Sequence, residues 1–544
     1  MQTEQALAAR ALTPIPTRTS SQSSPPVLRH WIAPVFTVAA AALVFFVAFY
    51  ALDYVLTGGA LLSAGGLWEH YTAFSPDLVS DALPALGMTL VAALGIVLTV
   101  VAIIVQLSSD RYTGVALMFL RDPVNVGVMS CYIVASLLAV WLSVTLRVDF
   151  VPRALLLLVM GMTSIGLAVM LPYFAYVFWF LEPGNIIDRL RLHTSRLNRR
   201  GLATRSSHEV GLLQGRVLTQ MEEITDIANN SIDGRDKIVA GHAVDALRDF
   251  LIDYIENKPQ EDRPWYDIGR QLRDNPNFVA MDNDLMRDLE ERRLWVEWKT
   301  LRQYLGVYNE ALESMQEINS LVAIDTRYIG AAAAAKGETE LVRMVFRFMN
   351  SYLRSAINHG SVRTAYNVLH QYRMLLETLL QLGHDGLACE GASFIKYYGH
   401  VAFDAELDFI TETAAHDIAE LCKFSHRHGR AAAEQRILRQ LLDLDTEAPA
   451  QGHSQLRGLK GVRKAQARLA VYYISVGAEA HARMIAADMR DDAPELKQSI
   501  CADLARAESP HFWEIVDRGT NFEYLPENER VQLGVFFGWL ARPT

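Results

Sequence analysis

Over roughly the first third of the chain the apolar positions run together without a period. Beyond residue 183 they recur three and four apart. An unbroken apolar run of about 20 residues is long enough to cross a bilayer as a helix, whereas a 3.6-residue period marks a helix with one buried face. Four runs meet the first criterion, at 31–56, 83–107, 126–146 and 154–181. Trp31, Tyr50 and Tyr54 on the first, and Tyr173, Tyr176 and Trp179 on the fourth, suit the headgroup boundary. Pro172 lies inside the fourth run and removes one backbone donor there, which predicts a kink. Residues 1–30 are rich in Ser, Thr, Pro and Ala and read as a disordered cytoplasmic tail. They are not a signal peptide, because the apolar run begins only near Trp31 and is too long.

From Pro183 onward the pattern predicts amphipathic helices and no strands. In 217–257 the residues Leu218, Met221, Ile224, Ile227 and Ala228 share one face. Ser231-Ile232-Asp233-Gly234 breaks the helix there, and 258–264 reads as a polar loop. Trp265, Trp295 and Trp298 read as core anchors. Past residue 300, helical stretches are predicted near 304–325, 338–358, 361–382, 385–400, 404–428, 430–444, 460–476, 478–490, 494–508 and 528–541, split by Gly, His-Gly or Asp-Gly. Paired helices with short turns match an α-solenoid or a tetratricopeptide-like array. Ala467 to Tyr473 with Gly477 and Ala482, and Ala365-Tyr366 with Leu369 and Leu376, share that texture; the 34-residue signature of such arrays is not kept. The expected fold is therefore all-α. It comprises a tail (1–30), a four-helix transmembrane domain (31–182), a juxtamembrane helical region (183–300) and a helical-repeat-like domain (301–544).

Charge then orients the chain. Arg10, Arg18 and Arg29 precede the first span, and the loop before the second holds Glu69, Asp77 and Asp81 but no Lys or Arg. Arg111 and Arg121 follow the second span, and Arg189, Arg191, Arg196, Arg199, Arg200, Arg205 and Arg216 follow the fourth. Only Arg147 and Arg153, after the third, run against the trend. Positive residues stay inside, so both termini are expected in the cytoplasm. The first five arginines after the fourth span are candidates for contact with anionic headgroups. In all, 51 basic and 61 acidic residues among 544 leave a net charge of −10, which argues against nucleic acid as partner. Cys131, Cys389, Cys422 and Cys501 show no metal or disulfide spacing and read as free thiols.

None of the four spans carries Lys, Arg, Asp, Glu or His near its centre, which weighs against proton-coupled transport. What remains is small and hydroxylated: Gly87, Thr89, Gly95 and Thr99 on the second span, Ser130, Ser136 and Ser143 on the third, Gly161, Thr163, Ser164 and Gly166 on the fourth. Such residues let helices approach closely. The sharper alternative makes Thr89, Thr99, Ser130 and Ser136 the lining of a pore in a homo-oligomer. The segment 106–125 is amphipathic; Leu107, Val115, Leu117, Met118, Phe119 and Leu120 suit the inner membrane surface while Asp110, Arg111, Arg121 and Asp122 face water.

No phosphate-binding glycine loop, dinucleotide fingerprint, nucleophile elbow or zinc-protease motif occurs. Glu412, His416 and Glu420 fall four apart, with Cys422, His426 and His428 beyond, and all are metal-ligand types. The expectation is plainer: a solvated face, with His426 and His428 closing a helix end, and no metal, cofactor or catalytic residues.

The residues QLSSDRYTGVALMFLRDPVNVGVM (Gln106 to Met129), and more weakly IANNSIDGRDKIVAGHAVDAL (Ile227 to Leu247), resemble a bacterial family of integral membrane proteins known as domain of unknown function 2254. The likeness covers about 31–250. The family's Ser-Pro-Arg step is here Asp110-Arg111-Tyr112-Thr113, and its Pro-Gly-Ile-Asn-Asp-Pro turn is absent. The resemblance implies a membrane location and no particular activity. The expected function is a non-enzymatic membrane protein displaying a cytoplasmic interaction or sensing domain. Its expected partners are the lipid bilayer, further copies of itself and a cytoplasmic protein. The alternative is a homo-oligomeric ion or solute channel, with the second and third spans around the pore and the cytoplasmic helices as vestibule or gate.

Overall fold

The computed structural model describes residues 26–56, 68, 71–109, 119–147, 150–259, 261–445, 453–512, 517–519 and 521–541. Among these residues the regular structure is helical, apart from an isolated bridge between Arg147 and Phe150. The chain forms two compact units, one within 18–190 and the other built from Arg191 onward.

The first unit holds α1 (Pro26–Leu56), α2 (Pro76–Ser109), α3 (Pro123–Thr145) and α4 (Arg153–Leu181), and all four are long and apolar enough to cross a membrane. The second span starts seven residues before the predicted 83, because Pro76 and Asp77 are good first-turn residues and extend the apolar helix backwards. Helix α4 continues through Pro172. Val79, Leu83, Ala139, Leu142, Leu156 and Val159 form a closed apolar cluster between α2, α3 and α4. Gly166 lets α4 approach α3: a Cβ there would lie 3.2 Å from the Tyr132 ring, whose hydroxyl donates to the Gly166 carbonyl at 2.6 Å. Phe45, Phe46, Ile96, Trp141 and Leu171 stay exposed, as befits surfaces whose solvent is lipid.

Helix α5 (Pro183–Ala203) leads into the second unit, followed by α6 (Ser207–Asp233), α7 (Lys237–Asn257) and α8 (Asn283–Glu291). Then come α9 (Trp295–Ser314), α10 (Gln316–Ala335), α11 (Thr339–Asn358), α12 (Val362–Leu382), α13 (Asp385–Asp404) and α14 (Asp408–Arg427). The last are α15 (Ala431–Leu442), α16 (His453–Ser475), α17 (Glu479–Asp488), α18 (Pro494–Arg506) and α19 (Leu533–Ala541). Trp265 and Trp295 are fully buried against each other, with centroids 5.2 Å apart.

Where one helix was predicted over 304–325, the chain turns at Met315 between α9 and α10. No Gly or Pro marks the turn, and Val307, Ala311, Ile318 and Val322 keep a helical spacing across it, so periodicity passes straight over the break.

Left-handed residues close successive helices at Gly337, Gly360, Gly383, Glu406 and Gly429, a constant step of 23 residues. At each, the following amide bonds back five residues: Glu338 to Ala333, Ser361 to Ala356, His384 to Leu379, Leu407 to Ala402 and Arg430 to Ser425, all at 2.8–3.0 Å. This is the Schellman closure, in which a residue at positive φ, most often glycine, lets the last carbonyls be satisfied. The helices stack in two layers. In one, α6, α9, α11, α13 and α15 touch in turn; in the other, α7, α10, α12, α14 and α16 do.

Candidate functional site

The second layer carries a polar ladder with a fixed register. The twelfth residue of each of three helices reaches the tenth residue of the next. Arg248 of α7 meets Asp325 of α10 at 2.8 Å, Arg327 of α10 meets Gln371 of α12 at 2.8 Å, and Arg373 of α12 meets Asp417 of α14 at 3.1 Å. The three acceptors are 46 residues apart, two helical modules, so each rung repeats the contact of the one before. The side chains of Asp325 and Asp417 are fully buried. A buried carboxylate is tolerable only when paired and hydrogen-bonded.

Environment separates the two acids. Burial pushes the Asp325 carboxyl up to about 7, although Arg248 opposes the shift. Burial also resists ionisation of Asp417, but the guanidinium groups of Arg518 and Arg373 outweigh it and hold that carboxyl well below the usual range. The ladder's own register would stop here, since α14 offers Ala419 where Arg327 and Arg373 stood. Arg518, far along the chain, supplies the second cation. It donates to both Asp417 oxygens at 2.7 and 3.1 Å and to the Tyr366 carbonyl at 2.6 Å, stacking 4.1 Å over the Tyr366 ring.

His416 is next to this rung. Its ring stacks on Phe522 with centroids 4.0 Å apart, and its nitrogens stand 3.7 Å from Asp417 and 3.9 Å from Glu420 without a hydrogen bond to either. Burial drives its pKa down to about 4, so the ring is neutral at neutral pH. His370 is driven down to about 3, by burial first and then by Arg518 and Arg373. Glu420 meets Lys423 at 3.2 Å and Arg468 at 3.8 Å. The face of Glu412, His416 and Glu420 is therefore packed rather than solvated, a correction whose cause is α16, with Lys464 on Glu412 and Arg468 on Glu420, together with Phe522 on His416. His428 closes its helix as expected, its Nδ1 2.9 Å from the Phe424 carbonyl, whereas His426 turns to Glu434 at 3.0 Å. No trio of His, Cys, Asp or Glu among the described residues is placed to hold a metal ion.

In the first unit the residues singled out from sequence as a pore lining lie on α2 and α3. Thr89 and Thr99 sit on the exposed surface of α2 and turn their hydroxyls back to Ala85 and Gly95 of the same helix, each at 2.8 Å. Ser130 is exposed on α3, and the half-buried Ser136 donates to Tyr132. The polar cluster that does form was not anticipated. Asp122 caps α3 by accepting from Val124 and Asn125, and also accepts from the Tyr176 hydroxyl at 2.8 Å. Tyr173 donates to Asn125 at 2.6 Å. Phe119, expected on the membrane surface, is buried edge-on against Phe180; residues 110–118 lie outside the described residues.

Of the five arginines, Arg189 lies 3.8 Å over Phe180 and 4.6 Å over Trp179. Arg199 pairs with Asp253 and Arg200 with Glu209, each at 2.6 Å, while Arg196 is exposed and Arg191 half-buried. The sequence did hold one signal for the ladder: Gly337, Gly360, Gly383 and Gly429 share the 23-residue frame, and Glu406 interrupts it. No family model, curated protein or solved structure matches the chain.

Proposed function

We propose that the chain is a bacterial inner-membrane protein whose four spans anchor a cytoplasmic helical solenoid that binds a protein partner and performs no catalysis of its own. One observation supports this above the rest: the uniform 23-residue module with its laddered second layer. Modules of equal length stack their helices in register and thereby present a long, rigid surface, which is what solenoids use to bind other chains. The charge asymmetry of the flanks supports the orientation, with Arg196 and its neighbours against anionic headgroups.

Two measurements on the full chain test the proposal. Ala73→Cys should react with an impermeant maleimide added outside, and Val476→Cys only after the membrane is opened; the reverse pattern ends the cytoplasmic assignment. Photo-crosslinking residues placed in living cells along α10, α12, α14 and α16 should trap a discrete partner. Silence at every one of these positions would end the interaction reading.

The second reading, a homo-oligomeric channel, rests on the exposed hydroxyl residues Thr89, Thr99 and Ser130 of the membrane unit. Native mass spectrometry decides whether it is physically available. A ring of four or more subunits provides an axis for a path, and a monomer or dimer does not.

A further inference from the structure

Residues 517–519 and 521–523 lie against α12, α14 and α16 outside any helix and are held by side chains. Asp517 accepts from Asn367 at 2.8 Å and from Arg363 at 3.2 and 3.3 Å. The Arg518 side chain is 3% exposed, its guanidinium on Asp417 and the Tyr366 carbonyl. Phe522 lies on His416 and is stacked 6.1 Å from Phe409. Glu523 pairs with Lys464. Among the described residues no backbone–backbone hydrogen bond joins this segment to the three helices; its own backbone bonds run from Asn521 to Pro510 and from Tyr524 to Asn521. The helices are therefore complete without it, and Asp417 keeps Arg373 when Arg518 leaves. This is how an extended peptide is recognised on a helical surface: charged and aromatic anchors at fixed spacing, each in its own receptor site.

We propose that this surface is a peptide-docking groove in which the chain's own Asp517, Arg518, Phe522 and Glu523 sit as a built-in ligand. The partner it takes is an extended protein segment of the same chemistry: an acid, then arginine, an aromatic residue four positions on, and an acid directly after. Arg363 and Asn367 receive the first acid, Asp417 the arginine, His416 and Phe409 the aromatic ring, and Lys464 the last acid. The tethered segment competes at high effective concentration, so the groove is held closed until a partner displaces it. The inference rests on the interaction reading above and names its ligand class.

The test uses the full chain in lipid nanodiscs and a fluorescent peptide of sequence DRGTNFEYL, followed by anisotropy. With Arg518→Ala and Phe522→Ala together, the tethered competitor is weakened and the peptide should bind at least about tenfold tighter than to the wild type. The same peptide with its arginine replaced by alanine should lose that gain. A doubly substituted chain that keeps its helicity and melting temperature yet binds no tighter overturns the proposal, as does binding indifferent to the peptide's arginine. Should that chain fail to fold, Asp517→Lys decides, because it removes the bonds to Asn367 and Arg363 and repels Arg363 at a half-exposed site. Tighter binding than wild type supports the groove, and unchanged binding overturns it. Peptide failure alongside discrete crosslinks elsewhere on the stack removes the groove alone, whereas loss of every crosslink removes the interaction reading itself.

Discussion

At the scale of single residues, the second unit is governed by charges that cannot reach water. Asp417 is buried between Arg373 and Arg518, and removing one partner of such a pair leaves the others uncompensated. Asp417→Asn should therefore cost about 3 kcal/mol of unfolding stability, whereas Arg327→Met, which leaves only the neutral Gln371 unbonded, should cost about 1 kcal/mol. Thermal melts of the two full-length variants check the order. A reversed order would mean that the ladder's charged rung is replaceable by packing. His416 makes a pH statement. Its folded pKa near 4 lies below the ordinary histidine value, so the unfolded chain takes up a proton first as pH falls. The fold should lose up to roughly 3 kcal/mol between pH 6.5 and 4 from this group. Asp325, pushed up to about 7, acts in the opposite sense, since its stabilising protonated form is lost as pH rises through that value. The difference between wild type and His416→Gln isolates the histidine: the variant should melt less steeply with falling pH, and equal slopes refute the assignment.

At the scale of the helix, the module depends on its closing residue. Gly383 has φ +86°, and a side chain there meets the steric cost of the left-handed region, about 1 kcal/mol. Gly383→Ala should lower the unfolding stability by that amount, which a thermal melt reads as a lower melting temperature. Glu406 occupies the same place in the next module with φ +57° and already bears that strain. Glu406→Gly should therefore stabilise the fold, by somewhat less than 1 kcal/mol once the freer unfolded chain is counted. Opposite signs for two substitutions at equivalent positions are hard to obtain by any route but a shared backbone conformation. Four of the five closures were legible as glycines, which is why the helix limits from 339 to 427 follow the predicted ones closely. The turn at Met315 was illegible because apolar spacing is conserved across it while the backbone reverses.

At the scale of the whole molecule, two solvents act on one chain. The first unit keeps large apolar side chains such as Phe45, Ile96 and Trp141 exposed, and buries little within its spans. That surface is stable in lipid and costly in water. The second unit does the reverse, burying Trp265, Tyr304, Tyr352 and Tyr372 completely. The sided labelling of Ala73→Cys and Val476→Cys belongs to this scale, as does the subunit count. The peptide experiment joins the scales, because a contact between Arg518 and Asp417 spans 101 residues of sequence and closes a surface built by three helices.

Sequence alone determined the all-α class, the four spans and most helix boundaries. Apolar run length, helical periodicity and glycine are local quantities, and local physics is enough to read them. Only the tertiary structure decided that Arg248, Arg327 and Arg373 form one ladder, that His416 is buried and neutral, and that Arg518 and Phe522 lie against the second layer. Those outcomes depend on contacts between residues at least 44 positions apart, and on whether a polar side chain meets water or another module. A row of charges four apart looks the same on a solvated face as on a packed one, and what lies over it is set by the rest of the chain.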